Sequence, residues 1–219
     1  MKISAFSFLL ILALLFFADI AQAATGCDLN DPDRDVKRLF PESTGYKAYY
    51  YSISKKGGDA LLKKIEERLG DKFKGIYETA DVPNTVYEIR VKDKITGYIH
   101  GVNQKGKYGG IQVFLAFDTG GTIRSFYIQK LTGKDAALFR APAFDRQFEG
   151  LSLKDFYRYS VARRLFIMPP KMSGPAIKDP TGSPDDYFAI LRAVKKNLIL
   201  MDEYIFNNGF LKYFEKLEN

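Results

Sequence analysis

The chain has 219 residues, 46% of them hydrophobic and 27% charged, with a formal net charge of +7. That composition belongs to a folded globular protein and excludes a disordered or collagen-like chain. A single cysteine excludes an internal disulfide and a thiolate metal cluster, and a single histidine, with no cysteine near it, gives a zinc site or a histidine-based catalytic triad almost no support.

Lys2, an apolar run over 8–17 and the small-x-small site Ala21-Gln22-Ala23 have the form of a secretory signal peptide over 1–23. The run is too short for a bilayer span, which needs roughly 20 residues, and no later stretch is apolar enough to cross. Cleavage after Ala23 is expected, giving a protein exported to the periplasm or beyond, soluble or loosely membrane-attached. Ala24-Thr25-Gly26-Cys27 faintly resembles a lipobox. Ala24 stands where leucine is usual, however, and Cys27 lies far beyond the apolar run, so cleavage after Ala23 is preferred to lipidation at Cys27. Lys2 and Asp19 cancel, so the mature chain keeps the net charge of +7. Export separates such a chain from nucleic acid. Its basic balance reads first as a solvated surface, and second as a face for an anionic membrane or an acidic redox partner.

Residues 24–57 read as a polar, irregular N-terminal extension with a tyrosine group at Tyr46, Tyr49, Tyr50 and Tyr51. The rest, 58–219, reads as one domain. Asp59 as N-cap, Leu62, Ile65 and Leu69 at helical spacing, and Gly70 as a stop predict a short amphipathic helix. From 85 to 130 the period changes to two. Tyr87, Ile89 and Val91 alternate with Glu88 and Arg90, Lys92-Asp93-Lys94 turns, and 95–102 is a second strand. Residues 104–107 turn again. Gly109-Gly110 opens a third strand with Ile111, Val113, Leu115 and Phe117 on one face, and Asp118-Thr119-Gly120-Gly121 is a hairpin signal leading into 123–130. Four strands and short turns make an antiparallel meander. His100 falls in a strand, where a structural role is expected.

Residues 134–140 suggest a short helix, 141–149 run more loosely, and 153–166 look helical. After a glycine- and proline-rich loop over 168–184, Ser183 as N-cap, Pro184 at the first position, and Asp185 and Asp186 against the dipole start a long helix. Phe188, Leu191, Val194, Leu198, Met201 and Ile205 form its apolar stripe, with Arg192, Lys195, Lys196 and Asn197 expected outside. The fold class is α+β: the meander packed against this C-terminal amphipathic helix.

Residues 87–91, Thr96-Gly97-Tyr98, Gly109-Gly110-Ile111-Gln112-Val113, the hairpin over 118–123 and the run from Phe144 to Gly150 occur in an order that resembles the FMN-binding domain family. That family includes flavin-carrying peripheral subunits of Rnf-type and sodium-translocating quinone reductase complexes. The similarity covers roughly 76–205. The family esterifies its flavin phosphate to a threonine just before a helix. Counting back from Ala189-Ile190 lays Thr181-Gly182-Ser183-Pro184 on that motif, with proline where the threonine belongs. The resemblance therefore implies FMN held non-covalently near Thr181, Gly182 and Ser183. The ring would lie towards Thr132, Gly133 and Lys134, which match the family's second flavin loop. Pro184 removes one free amide from the helix end, and Asp185 and Asp186 oppose a phosphate there. Two roles follow from the resemblance. One is an electron-transfer flavoprotein serving a membrane redox complex or a periplasmic electron carrier, rather than a catalyst with its own substrate. The other is a degenerate member without flavin that acts as a scaffold subunit. Neither implies a metal or nucleic acid.

Overall fold

A computed structural model describes residues 26–167, 177–182 and 184–218. The expected signal peptide and the expected N-cap, Ser183, lie outside the described residues. In chain order the elements are α1 (Pro32–Leu39), β1 (Gly45–Tyr51), α2 (Ile53–Lys56), α3 (Gly58–Leu69), β2 (Asn84–Val91), β3 (Lys94–Gly106), β4 (Gly109–Phe117) and β5 (Ile123–Lys130). Then follow α4 (Ala136–Phe139), α5 (Pro142–Asp145), α6 (Leu153–Phe156), β6 (Tyr159–Ser160), β7 (Leu165–Phe166), α7 (Pro184–Tyr204) and α8 (Leu211–Glu218).

The meander is present, with strands in the order β1-β2-β3-β4-β5, every neighbouring pair antiparallel. It has five strands where the hydrophobic pattern shows four. The segment expected to be irregular supplies α1, capped by Asp31 and started by Pro32, and the edge strand β1, which pairs Tyr46 with Ile89 and Tyr50 with Thr85. Strand β3 also runs further than expected. Gln104, Lys105 and Gly106 pair with Ile111, Gly110 and Gly109, so the turn is Lys107-Tyr108 alone. Gly97 permits a close crossing inside the sheet, because a Cβ there would fall 2.2 Å from the Phe117 carbonyl and 2.7 Å from the Phe40 ring.

Both faces of the sheet are covered. Ile111, Val113, Leu115 and Phe117 of β4 are buried in the larger core, which Leu191, Val194 and Leu198 of α7 share. Phe114 and Ala116 face a smaller core with Cys27, Leu29, Val36 and Phe40. The N-terminal segment is stitched down: the Leu29 amide donates to the Tyr87 hydroxyl at 3.1 Å and the Asn30 amide to Gln129 Oε1 at 2.9 Å. Helix α3 ends at Gly70 in the left-handed region, φ 74°, as a glycine stop should, although Gly57 rather than Asp59 is its N-cap.

Two expectations fail, and only the second does so because it equates charge with exposure. Only Leu153–Phe156 of the expected helix over 153–166 is helical. The chain then forms the β6–β7 hairpin, with Arg164 at φ 56° in its turn. In α7 the face carrying Arg192, Lys195, Lys196 and Asn197 is buried, not outside: α3 and the segment after it pack against the helix on one side, and Lys196 and Asn197 reach β3 on the other. Phe188, by contrast, is only half-buried. Each buried polar group on this face has a partner. Arg192 reaches Asp71, Glu78 and Gln104, Lys196 reaches Glu78 and the Asn103 carbonyl, and Lys195 donates to the Tyr159 carbonyl at 2.8 Å. Such pairing is what makes buried charge tolerable.

His100 has the expected structural role. It is fully buried on β3, its Nδ1 2.7 Å from Asn197 Oδ1, while Asn197 Nδ2 donates to the His100 carbonyl at 2.9 Å. With the amide oriented that way Nδ1 carries the proton, and Nε2 has no partner among the described residues. Burial pushes the ring down to about 4, the Asn197 bond opposing it weakly. A histidine depressed below its unfolded value contributes stability above about pH 6.5 that is lost as pH falls towards 4, by about 3 kcal/mol at pH 4. The stability difference between wild type and His100→Gln, measured by urea unfolding at pH 7 and pH 4, should shrink by that amount. An equal difference at both pH values would show that the ring does not titrate as argued.

Candidate functional site

Each described residue expected in the site lies on a loop. Thr181 is half-buried, and its amide and hydroxyl both donate to Asp179 Oδ1, at 2.9 and 2.7 Å. Gly182 is exposed at φ 67°, with open space where a Cβ would stand. Ser183 lies outside the described residues. Thr132, Gly133 and Lys134 are exposed between β5 and α4, and Gly133 has a φ of 140°, which only glycine adopts readily. The start of α7, just beyond Gly182 in the chain, and the Gly133 loop converge on one element, the β3–β4 turn. The Lys107 amide donates to Asp186 Oδ1 at 2.7 Å, and the Tyr108 ring comes within 3.1 Å of a Cβ at Gly133.

The start of α7 is thus more than a capped helix end. Asp186 is buried and fastens the β3–β4 turn to the helix. Asp185 remains exposed, with Lys107 Nζ and Arg164 Nη1 each 3.9 Å from its carboxylate. These two cations offset the repulsion that Asp185 would exert on an anion, and at this exposure the pairs themselves contribute little stability.

Beside these first turns opens a cleft of about 390 Å³. Its walls include Phe188 and Ala189 of α7, Gln104 and Lys107 of β3 and its turn, and Tyr159 and Arg164 of the β6–β7 hairpin. The Arg164 guanidinium sits over the Phe188 ring at 5.3 Å. Arg192, at the base, is already neutralised: Nε meets Asp71 at 2.8 Å, Nη1 meets Gln104 at 2.7 Å and the Glu78 carboxylate, and Nη2 donates to the Lys72 carbonyl at 2.9 Å. Lys74 and Lys105 add positive charge to the lining. The cleft combines aromatic walls with a cationic rim, at a volume within the range of roughly 300–1,000 Å³ common for small-ligand sites. Thr132, Gly133 and Lys134 do not line it; they adjoin it through Tyr108, the neighbour of Lys107.

Sequence reasoning misses Arg164, Tyr159 and Arg192 because it places the first two in a helix and the third on a solvated face. A detectable signal is present: Arg192 follows Phe188 by four residues, so both project from one side of α7 near its start. Among the described residues no group of histidine, cysteine, aspartate and glutamate is arranged to hold a metal ion, and no helix is long and apolar enough to cross a membrane. Cys27 is buried, and burial raises its thiol well above the ordinary range.

The chain matches no protein-family model and no curated protein. Among solved structures it is similar to one subunit of the Na(+)-translocating NADH-quinone reductase of Parabacteroides distasonis ATCC 8503. The identity is 16% and the TM-score 0.37, over 97% of this chain and 98% of that one.

Proposed function

We propose that the chain is an exported FMN-binding-like protein, an electron-transfer or accessory subunit of a membrane redox system that holds its flavin non-covalently. The observation that carries this reading is the cleft beside α7, with the half-buried Phe188 for a planar ring and Lys107 and Arg164 for a phosphate. Thr181, Gly182 and Ser183 adjoin the same helix start and would share the phosphate, with Thr132, Gly133 and Lys134 on the other side of Tyr108. FMN, when bound, supplies the one- and two-electron chemistry. The chain's part is to orient the ring, neutralise the phosphate and limit access of water. Pro184 has no hydroxyl, which favours a releasable cofactor.

Export rests on the signal-peptide form of residues 1–23, and the burial of Cys27 supports cleavage after Ala23. At 1% exposure, within the core under the sheet, its sulfur has no room for a lipid. A scaffold subunit without flavin is the second reading. It is favoured by Asp186, which already occupies the helix end through the Lys107 amide.

Titration of the mature chain with FMN, followed by visible absorption and flavin fluorescence, separates the two. Binding is expected, denaturant should release all the chromophore, and Arg164→Ala should weaken binding by about tenfold, or 1.4 kcal/mol. Asp185→Asn should tighten it. Protein that is isolated colourless and takes up no FMN would establish the scaffold reading. Flavin that stays on the unfolded polypeptide would overturn the non-covalent one.

A further inference from the structure

Around the β3–β4 turn, exposed apolar side chains stand where a soluble surface would carry polar ones. Tyr108, in the turn itself, is 57% exposed, Ile76 is 60% exposed, and Leu165 and Ile167 are 48% and 49% exposed. Contacts of their chain neighbours bring them towards one tip. Tyr77, next to Ile76, has its ring 2.8 Å from a Cβ position at Gly110, the second residue of β4. Arg164, next to Leu165, shares Asp185 with Lys107, next to Tyr108. Cations surround the same tip: Lys74, Lys105, Lys107 and Arg164 line the cleft beside it, and the exposed Arg163 precedes Arg164 in the hairpin. Asp185 is the exposed carboxylate among them; Asp71 and Glu78 are engaged by Arg192, and Asp71 also pairs with Lys74 at 2.9 Å.

We infer that this tip is a docking surface for an anionic phospholipid bilayer, with Tyr108, Ile76, Leu165 and Ile167 entering the headgroup layer and the cations meeting lipid phosphates. Charge complementarity selects the occupant. A basic rim alone would suit any acidic partner, but aliphatic and tyrosine side chains interleaved with lysine and arginine match an interface that is apolar inside and anionic outside. Each lysine or arginine near such a surface adds about 1 kcal/mol of attraction, falling off within a Debye length. The chain's net charge of +7 draws it to the same surface from further away.

The test uses flavin-free mature protein, so its outcome does not depend on the cofactor. Co-sedimentation is measured with vesicles of pure phosphatidylcholine and with vesicles in which about a third of the lipid is phosphatidylglycerol, a fraction that makes the surface negative enough to attract a basic rim. Binding is expected only to the anionic vesicles and should weaken with salt. Tyr108→Ser with Leu165→Ser and Ile167→Ser, and separately Lys105→Glu with Arg163→Glu, should each reduce it by at least about tenfold. Circular dichroism and thermal midpoints confirm that both variants fold. The proposal is overturned by equal binding to both lipids or by no binding at low salt. It is also overturned if binding needs the cations and ignores the apolar triple variant, which would mark a surface for an acidic protein instead.

Discussion

Replacing Arg68 by methionine should destabilise the chain by roughly 3–5 kcal/mol, because it strands a carboxylate, Asp202, that the fold has taken out of water. Arg68 is 1% exposed on α3 and holds the end of α7: its guanidinium meets Asp202, Glu203 and the Tyr157 hydroxyl, the last at 2.6 Å from Nη2. Glu203 would keep Lys64, 2.9 Å away, whereas the Asp202 carboxylate would be left with the Phe210 amide, at 3.2 Å. Burial already raises the Asp202 carboxyl against the pull of Arg68. Without that guanidinium it should rise further, and a raised folded carboxyl gives stability that returns as pH falls. Urea unfolding at pH 7 should therefore show the loss, equal to a fall in thermal midpoint on the order of 6–20 °C. Part should be regained near pH 5, and Arg68→Met with Asp202→Leu should be more stable than Arg68→Met alone. A single variant within about 1 kcal/mol of wild type would mean that water or another cation screens this pair.

The elements legible in the sequence are those whose signal is local. Alternation of Ile111, Val113, Leu115 and Phe117 marks β4, the Asp118–Gly121 turn marks the β4–β5 hairpin, and Gly70 marks the end of α3. What escapes depends on tertiary context. Strand β1 reads Gly-Tyr-Lys-Ala-Tyr-Tyr-Tyr, in which no alternation separates an apolar face from a polar one; it is a strand because β2 pairs with it. The polar face of α7 reads as solvated because propensity cannot foresee that Asp71, Glu78 and Gln104 arrive from other elements to neutralise it. The cleft is half legible. Its helix start and Phe188 follow from the capped, periodic run, whereas Arg164 and Tyr159 need the β6–β7 hairpin, a pairing of two residues by two that leaves almost no periodic signature.

Glu78 should be as sensitive as Arg68, and its pH dependence sharper. Its carboxylate, with the side chain 3% exposed, accepts from Arg192 Nη1 and Lys196 Nζ at 2.5 Å each. Burial raises this carboxyl, but Lys196 and Arg192 together outweigh burial and hold it below the ordinary glutamate range. Glu78→Gln keeps the shape and one acceptor while removing the charge. Arg192 still has Asp71, but Lys196 is left with the Asn103 carbonyl at 2.6 Å and Gln104 Oε1 at 3.3 Å. Burial already lowers the Lys196 amine to about 8, against the upward pull of Glu78, so losing Glu78 lowers it further. The folded variant then carries a neutral amine at pH 7 while the unfolded chain keeps its proton. That bounds what the amine costs relative to the unfolded chain: about 1.4 kcal/mol for each unit between pH 7 and an unfolded value near 10.4, or about 5 kcal/mol, of which wild type, with the amine at about 8, already bears about 3 kcal/mol. A loss of roughly 3–5 kcal/mol is expected. The sign of the pH effect follows from the same imbalance. Where the unfolded state binds more protons, stability rises with pH. In wild type the depressed Lys195 and Lys196 make this rise begin near pH 8, and in Glu78→Gln it should begin below neutrality. Stability measured from pH 6 to pH 9 tests the shift, and Glu78→Gln with Lys196→Met should recover more than half of the loss by removing the stranded amine. An unchanged slope, or a double variant no better than the single one, would show that the buried lysine does not bear the cost.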